Sequence, residues 1–476
     1  MDKKTAQKLV QAVDELEESL EMLALKNNSY ILKKLTQLTT KNFALLKEKA
    51  TLVADENYLP LLEALKEAID MGDEARAKKQ AEKLRALLKA KIVYRVLFLP
   101  YKASMWDSLE SVWLAFKKMP NVKKTVMPIS YFELDQNQIP VKTVNERDLF
   151  PKNVPTVAEQ DYDLEKEHPD VIFIHNPFDA GNLVTRVLPK YYSRNLKDVC
   201  DYLAYVPYYV FVEHKTLPTL SDVLFQADGL FMSESEIKAL DAEAQKYSGE
   251  NEPIPLEYRV LMLNHMVASD SPKLDKARQV TRENTPLPES LKKQYQPGKI
   301  TVFYNTSIQD ILLNGLDQTK AVFEFFKANR DRYQLLWRPH PLLLQSLTAE
   351  EPELVAEYLH LKQDILTFGI LDETPSLYPA LAWSDVYYGT GGSSVTELYL
   401  VSGKPVICNS QNGIFIAEEK GDASLLAKDT LLPEEDISLP TVLKSLANGD
   451  FIPRKASTKS NSGQFIANYV LDKMKL

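Results

Sequence analysis

Along residues 1 to about 90, apolar positions recur at helical spacing: Leu9, Val13, Leu16, Leu20 and Leu23 step by four and three and form one stripe on one helix face. The same stretch holds a single glycine and a single proline, so little interrupts it. Further helices are predicted around 29–49, 58–70 and 74–90, which makes residues 1–90 an N-terminal helical bundle. A bundle of this kind packs or self-associates, or it docks an acceptor or a membrane surface. The pattern leaves both readings open.

From about residue 92 the texture changes to short β-rich runs alternating with amphipathic helices. VYRVLFLPY (93–101) predicts a buried strand, a helix follows through Trp106, Leu109, Val112, Trp113 and Phe116, and KKTVMPI (123–129) predicts the next strand. The rhythm continues with DVIFIHNPF (170–178), CDYLAYVPYYVFV (200–212) and DGLFMS (228–233), the last leading into a helix from Ser235. A polar stretch rich in Pro, Glu and Lys (269–298) then marks a domain boundary. A second series follows: KITVFYNTS (299–307), a helix at about 316–329, YQLLWRPHPLL (333–343), LTFGIL (366–371), SDVYYGT (384–390), a helix from about Ser394, and KPVIC (404–408). The predicted fold class is therefore α/β, with two doubly wound Rossmann-like domains, 91–285 and 286–476, behind the helical bundle 1–90. Ligands of such folds bind at the carboxyl ends of the strands.

Length and composition agree with this division. A chain of 476 residues exceeds what one core usually supports, and its 45% apolar content fills two or three. The start MDKKTAQKLV has no apolar h-region behind it, and the longest apolar run, LAYVPYYVFV (203–212), contains a proline, so a cytoplasmic protein is expected. Cys200 and Cys408 are the only cysteines and stand far apart, which removes a disulfide framework and a zinc site. No clear carboxylate cluster calls for a metal, and no cofactor is expected. A net charge of −9 argues against nucleic acid as a partner.

Two strand ends carry candidate chemistry. The stretch YYGTGGSSVTELYL (387–400) runs from a strand through Gly389, Gly391 and Gly392 to Ser393 and Ser394 at a helix start, where free backbone N–H groups and the helix dipole suit a phosphate. Glu397, about one turn in, can address ribose hydroxyls; the alternative is a tight turn with Ser393 as its N-cap. The stretch is neither a Walker motif nor G-x-G-x-x-G, so a nucleotide-diphosphate donor is expected rather than ATP. In RPHPLL (338–343), two prolines hold His340 at a strand end with Arg338 two residues away, as a phosphate or general acid site requires. Asn305, Thr306 and Ser307 end an earlier strand and line the same cleft, or cap a turn.

The "RPHP" strand end, the "SSV" helix start and the "GKPVI" strand beyond it resemble the C-terminal half of the CDP-glycerol glycerophosphotransferase family, the teichoic-acid polymerases and primases, over roughly residues 299–410. YYSRNLKDVCDYLAYVPYY and DGLFMSES resemble the N-terminal half of a divergent branch. The resemblance implies a glycosyltransferase-B-like fold, His340, Ser393 and Ser394 on the phosphates of CDP-glycerol, and transfer of glycerol phosphate to a hydroxyl of a lipid-linked or polymeric acceptor of the cell envelope. Peripheral contact with the inner face of the membrane would go with such an acceptor. The family's Trp-His-Gly-Thr signature, whose histidine serves as base, does not occur in this chain, and Leu398 stands where the family has aspartate. Glu397 instead matches the ribose-binding glutamate of UDP-GlcNAc 2-epimerases, in a similar segment ending in GKPV. A sugar-nucleotide glycosyltransferase and a non-catalytic nucleotide-binding protein are the alternatives. For the missing base the sequence offers His214 in VFVEHKTLP, beside Glu213, and His175 in FIHNPFD, each just after a strand.

Overall fold

The computed structural model describes residues 1–23, 29–135, 137–182, 184–211, 220–246, 255–390, 393–410, 413–416, 443–444, 447–448 and 461–475. The chain begins with helices Lys3–Leu23, Ser29–Glu48, Ala50–Val53, Tyr58–Met71 and Glu74–Ala90. The sequence stripe forms their core: Leu9, Val13, Leu16 and Leu20 share one cluster with Leu62, Leu65, Leu84 and Leu88. Arg85 on the last helix reaches back to Asp14 (2.5 Å) and Glu17 on the first. Gly72, at φ 69°, ends Tyr58–Met71 in the left-handed conformation, and Asp73 caps the next helix by accepting from the Arg76 N–H.

Strands β1 (Tyr94–Phe98), β2 (Val122–Val126), β3 (Tyr131–Leu134), β4 (Pro140–Val144), β5 (Val171–Ile174), β6 (Thr185–Val187), β7 (Tyr202–Tyr205), β8 (Gly229–Met232) and β9 (Met266–Ala268) follow. Six of them form a parallel sheet in the order β2-β1-β5-β7-β8-β9, while β4, β3 and β6 make a small antiparallel sheet beside it. Every residue of β5, β7 and β8 is buried, which is why their sequences read as unbroken apolar runs: helices cover both faces.

The second sheet holds β10 (Ile300–Thr306), β11 (Tyr333–Pro339), β12 (Ile370–Leu371), β13 (Val386–Thr390), β14 (Val406–Ser410) and β15 (Gly413–Ile416) in the order β12-β11-β10-β13-β14-β15. Only β15 runs antiparallel. The strand order reverses beside β1 in one sheet and between β10 and β13 in the other, and crevices open at such switch points.

The helix Ser462–Met474 follows the second sheet in sequence but packs on the first. Ile466, Ala467, Val470 and Met474 join the cluster that holds Trp113, Phe116 and Phe173. The helix approaches so closely that a Cβ on Gly463 would stand 2.3 Å from the Ser111 carbonyl carbon. Buried Asp275 receives the first N–H groups of this helix, from Ser462 at 3.2 Å and Gly463 at 2.9 Å.

Polar contacts hold the two sheets with their carboxyl ends toward each other. Tyr378 donates to Asp107 Oδ2 at 2.9 Å, and the Val210 N–H donates to Ser394 Oγ at 2.9 Å. This is the α/β arrangement of two Rossmann-like sheets expected from the sequence, with a helical bundle before it. Among the described residues, no helix is long and apolar enough to cross a membrane.

Candidate functional site

At the end of β11, the His340 N–H donates to the Thr306 carbonyl at 3.0 Å, and the Leu342 N–H donates to His340 Nδ1 at 3.2 Å. A neutral imidazole that accepts at Nδ1 carries its proton on Nε2, so His340 is a hydrogen-bond donor there. Burial first, then the charges of Lys102 and Arg338, push its pKa down to about 4, and the ring stays neutral in ordinary buffers.

The other groups at this edge are held by the fold. Arg338 donates through Nη1 to Asp372 Oδ2 at 2.7 Å and through Nη2 to the Thr374 carbonyl at 2.9 Å, so its guanidinium braces the turn after β12. Asn305 Nδ2 donates to the Arg338 carbonyl at 2.9 Å, Thr306 Oγ1 accepts from the Trp337 indole at 3.2 Å, and Ser307 Oγ caps a helix by accepting from Asp310 at 3.1 Å. For Ser307, capping is the role the geometry displays.

Gly389 answers to packing. It pairs with Asn305 across β10 and β13, and a Cβ there would lie 2.3 Å from the Asn305 carbonyl oxygen. Gly391 and Gly392 lie outside the described residues. Ser393 is the N-cap of Ser394–Leu400, accepting from the Thr396 N–H at 3.3 Å. Ser394 Oγ accepts from the Val210 N–H and reaches the Val210 carbonyl at 3.4 Å, so this hydroxyl bridges the domains.

On the first domain, His175 is fully buried at the end of β5. Its Nε2 accepts from the Tyr101 N–H at 3.2 Å, and Nδ1 faces the Met105 carbonyl at 3.2 Å and Ser108 Oγ at 3.1 Å. Burial pushes its pKa down to about 4. With both nitrogens engaged inside the fold, His175 supports the loop after β1 and offers no lone pair to an acceptor hydroxyl. His214 and Glu213 lie outside the described residues.

Two further residues stand at strand ends that the sequence reading passed over. Lys102, just after β1, is buried, and no carboxylate lies within ion-pair distance of its ammonium among the described residues. It sits over the rings of Tyr131 at 5.0 Å and Tyr101 at 5.7 Å. Burial lowers its pKa, with Glu146 and Glu133 opposing. Its charge acts on His340 of the second domain. Glu236, four residues past β8, is buried and accepts from the Tyr209 hydroxyl at 2.6 Å. It lines a cavity of about 130 Å³ with Tyr209, Ser233, Asp270 and, from the second domain, Glu397. Burial pushes Glu236 up to about 7 although the Tyr209 bond opposes it. The sequence signal for both is their position: charged residues four places past strands of a parallel sheet.

No protein-family model and no curated protein matches the chain. Solved structures do. UDP-GlcNAc 2-epimerase from Neisseria meningitidis bound to UDP-GlcNAc is 11% identical with a TM-score of 0.42, covering 80% of this chain and 99% of that one. UDP-GlcNAc 2-epimerase from Methanocaldococcus jannaschii in complex with UDP-GlcNAc and UDP is 12% identical with a TM-score of 0.43, covering 80% and 100%. The wall teichoic acid polymerase TagF is 12% identical with a TM-score of 0.42, covering 88% and 98%. These likenesses concern the fold, at identities too low to align one side chain with another.

Proposed function

We propose that this protein is a transferase that holds a nucleotide-diphosphate donor in the cleft between its two Rossmann-like domains. We propose further that the donor is CDP-glycerol, whose glycerol phosphate passes to a hydroxyl of a cell-envelope glycolipid or polymer. The observation that supports this most is the presence of two hydrogen-bond donors from the two domains: His340, a neutral Nε2–H donor, and Lys102, a buried ammonium that no carboxylate among the described residues holds in an ion pair. Glu146 and Glu133 offset the burial of the Lys102 ammonium only in part, and an anion in the cleft would add to that compensation. A diphosphate is such an anion, and the motifs around His340 and Ser393 favour CDP-glycerol.

In this reading the acceptor oxygen attacks the β-phosphorus, the bond to the α-phosphate oxygen breaks, and CMP leaves. Lys102 and the His340 Nε2–H stabilise charge on the phosphoryl oxygens.

Thermal-shift titration tests the donor. CMP or CDP-glycerol should protect the fold by about 2.7 kcal/mol at a concentration 100-fold above the dissociation constant, and Lys102→Met should weaken that protection. Protection by UDP-sugars alone would mean a sugar-nucleotide glycosyltransferase, and protection by no nucleotide at millimolar levels would refute the donor site.

A further inference from the structure

The transferase reading needs a group to take the acceptor's proton. His175 is engaged on both nitrogens, whereas Glu236 is engaged on one oxygen: Oε1 accepts from Tyr209, and no hydrogen bond to Oε2 occurs among the described residues. The carboxylate lies against an interdomain cavity to which Glu397 of the second domain contributes, so a molecule there touches both domains. Among the described residues, no lysine, arginine or histidine lines the cavity. Its polar wall, Ser233, Ser235, Glu236, Asp270 and Glu397, accepts hydrogen bonds and repels phosphate, which suits a neutral hydroxyl-bearing group. At about 130 Å³ it is slightly smaller than the roughly 150 Å³ cavity that holds benzene, room for a three-carbon polyol or one edge of a sugar.

We propose that this cavity takes the hydroxyl-bearing end of the acceptor and that Glu236 is the base that removes its proton. The proposal rests on the transferase reading above. As the acceptor oxygen bonds to the β-phosphorus, its O–H bond breaks and the proton moves to Glu236 Oε2. The bond from the β-phosphorus to the α-phosphate oxygen breaks at the same step, CMP leaves with the electron pair, and the proton then passes to solvent. Among the described residues, the ionisable groups facing Glu236 are Tyr209 and Tyr205 from the strand and loop beside it, Asp270 from the segment after β9, and Glu397 across the cleft. Both tyrosines stay neutral, because burial raises their pKa values. Burial holds Glu236 near 7, where a carboxylate is a stronger base than an exposed one.

The test compares wild type, Glu236→Gln and Tyr209→Phe in nucleotide binding and in kcat as a function of pH. The expected result for Glu236→Gln is unchanged nucleotide affinity, kcat lower by about 10²- to 10⁴-fold, and loss of the acid limb of the pH profile. Tyr209→Phe, which removes a bond that favours the carboxylate, should move that limb to higher pH and keep the variant series decisive if Glu236→Gln does not fold. Wild-type turnover with an unaltered kcat and pH profile in the variants would overturn the role of Glu236 alone. Absence of transfer by wild type from every nucleotide donor would overturn the transferase reading and this proposal with it.

Discussion

Arg338 stands two residues from His340 at a strand end, where its charge suits a phosphate, yet its partner is Asp372. The two side chains are 8% and 0% exposed, so removing one leaves the other's charge buried without compensation. Arg338→Met should therefore lower stability by about 3–5 kcal/mol, read as a fall in the urea midpoint. His340→Ala should act on the ligand: loss of a hydrogen bond to charge is worth about 1.5–3 kcal/mol of nucleotide affinity, measured by calorimetry. Wild-type stability with weakened nucleotide binding in Arg338→Met would return Arg338 to the ligand. Position told in the sequence that this edge is polar, but the partner that decides each group's task lies far along the chain. Arg338 and Asp372 are 34 residues apart, and Ser394 and Val210 are 184 apart. No local spacing encodes such pairs.

Elements were legible where burial is complete on two sides or periodic on one. The runs VIFI, YLAY and GLFM are β5, β7 and β8, and the stripe Leu9 to Leu20 is the bundle core. The hairpin of β3 and β4 went unseen because PVKTV is mostly exposed, so no alternation marks it, and of the predicted run LTFGIL only Ile370–Leu371 is strand, as β12. The helix Ser462–Met474 was hidden differently: its apolar face is readable, but its destination on the first domain is not. Gly463 is the contact that commits it, through the approach to Ser111. Gly463→Leu should force the two helices apart and lower stability by about 1–3 kcal/mol, the usual cost of overpacking. A melting temperature equal to wild type would show that the helix shifts without loss.

In the whole molecule the N-terminal bundle is tied to the first domain away from the cleft, through Lys3 to Asp201 at 2.9 Å and the Val93 N–H to the Met1 carbonyl at 2.9 Å. Its second helix leaves Tyr30, Ile31 and Leu32 exposed at 64%, 47% and 38%, surface suited to another apolar face. Deleting residues 1–88 should leave nucleotide binding near that of the full chain and alter oligomeric state or acceptor use, measured by light scattering and turnover. A folded truncation that binds no nucleotide would refute this division of labour.

The return of Ser462–Met474 to the first domain also sets the order in which the chain can mature. During synthesis β1 to β9 leave the ribosome before the second sheet, yet the flank beside Trp113 and Phe116 and the carboxylate of Asp275 wait for residues translated after that sheet. The second domain must therefore emerge, and can fold, while the first is unfinished. A product cut short before residue 462 keeps an open apolar face, the kind of surface that chaperones and proteases recognise. Closure by Ser462–Met474 thus makes the first domain depend on chain that emerges only after the second sheet.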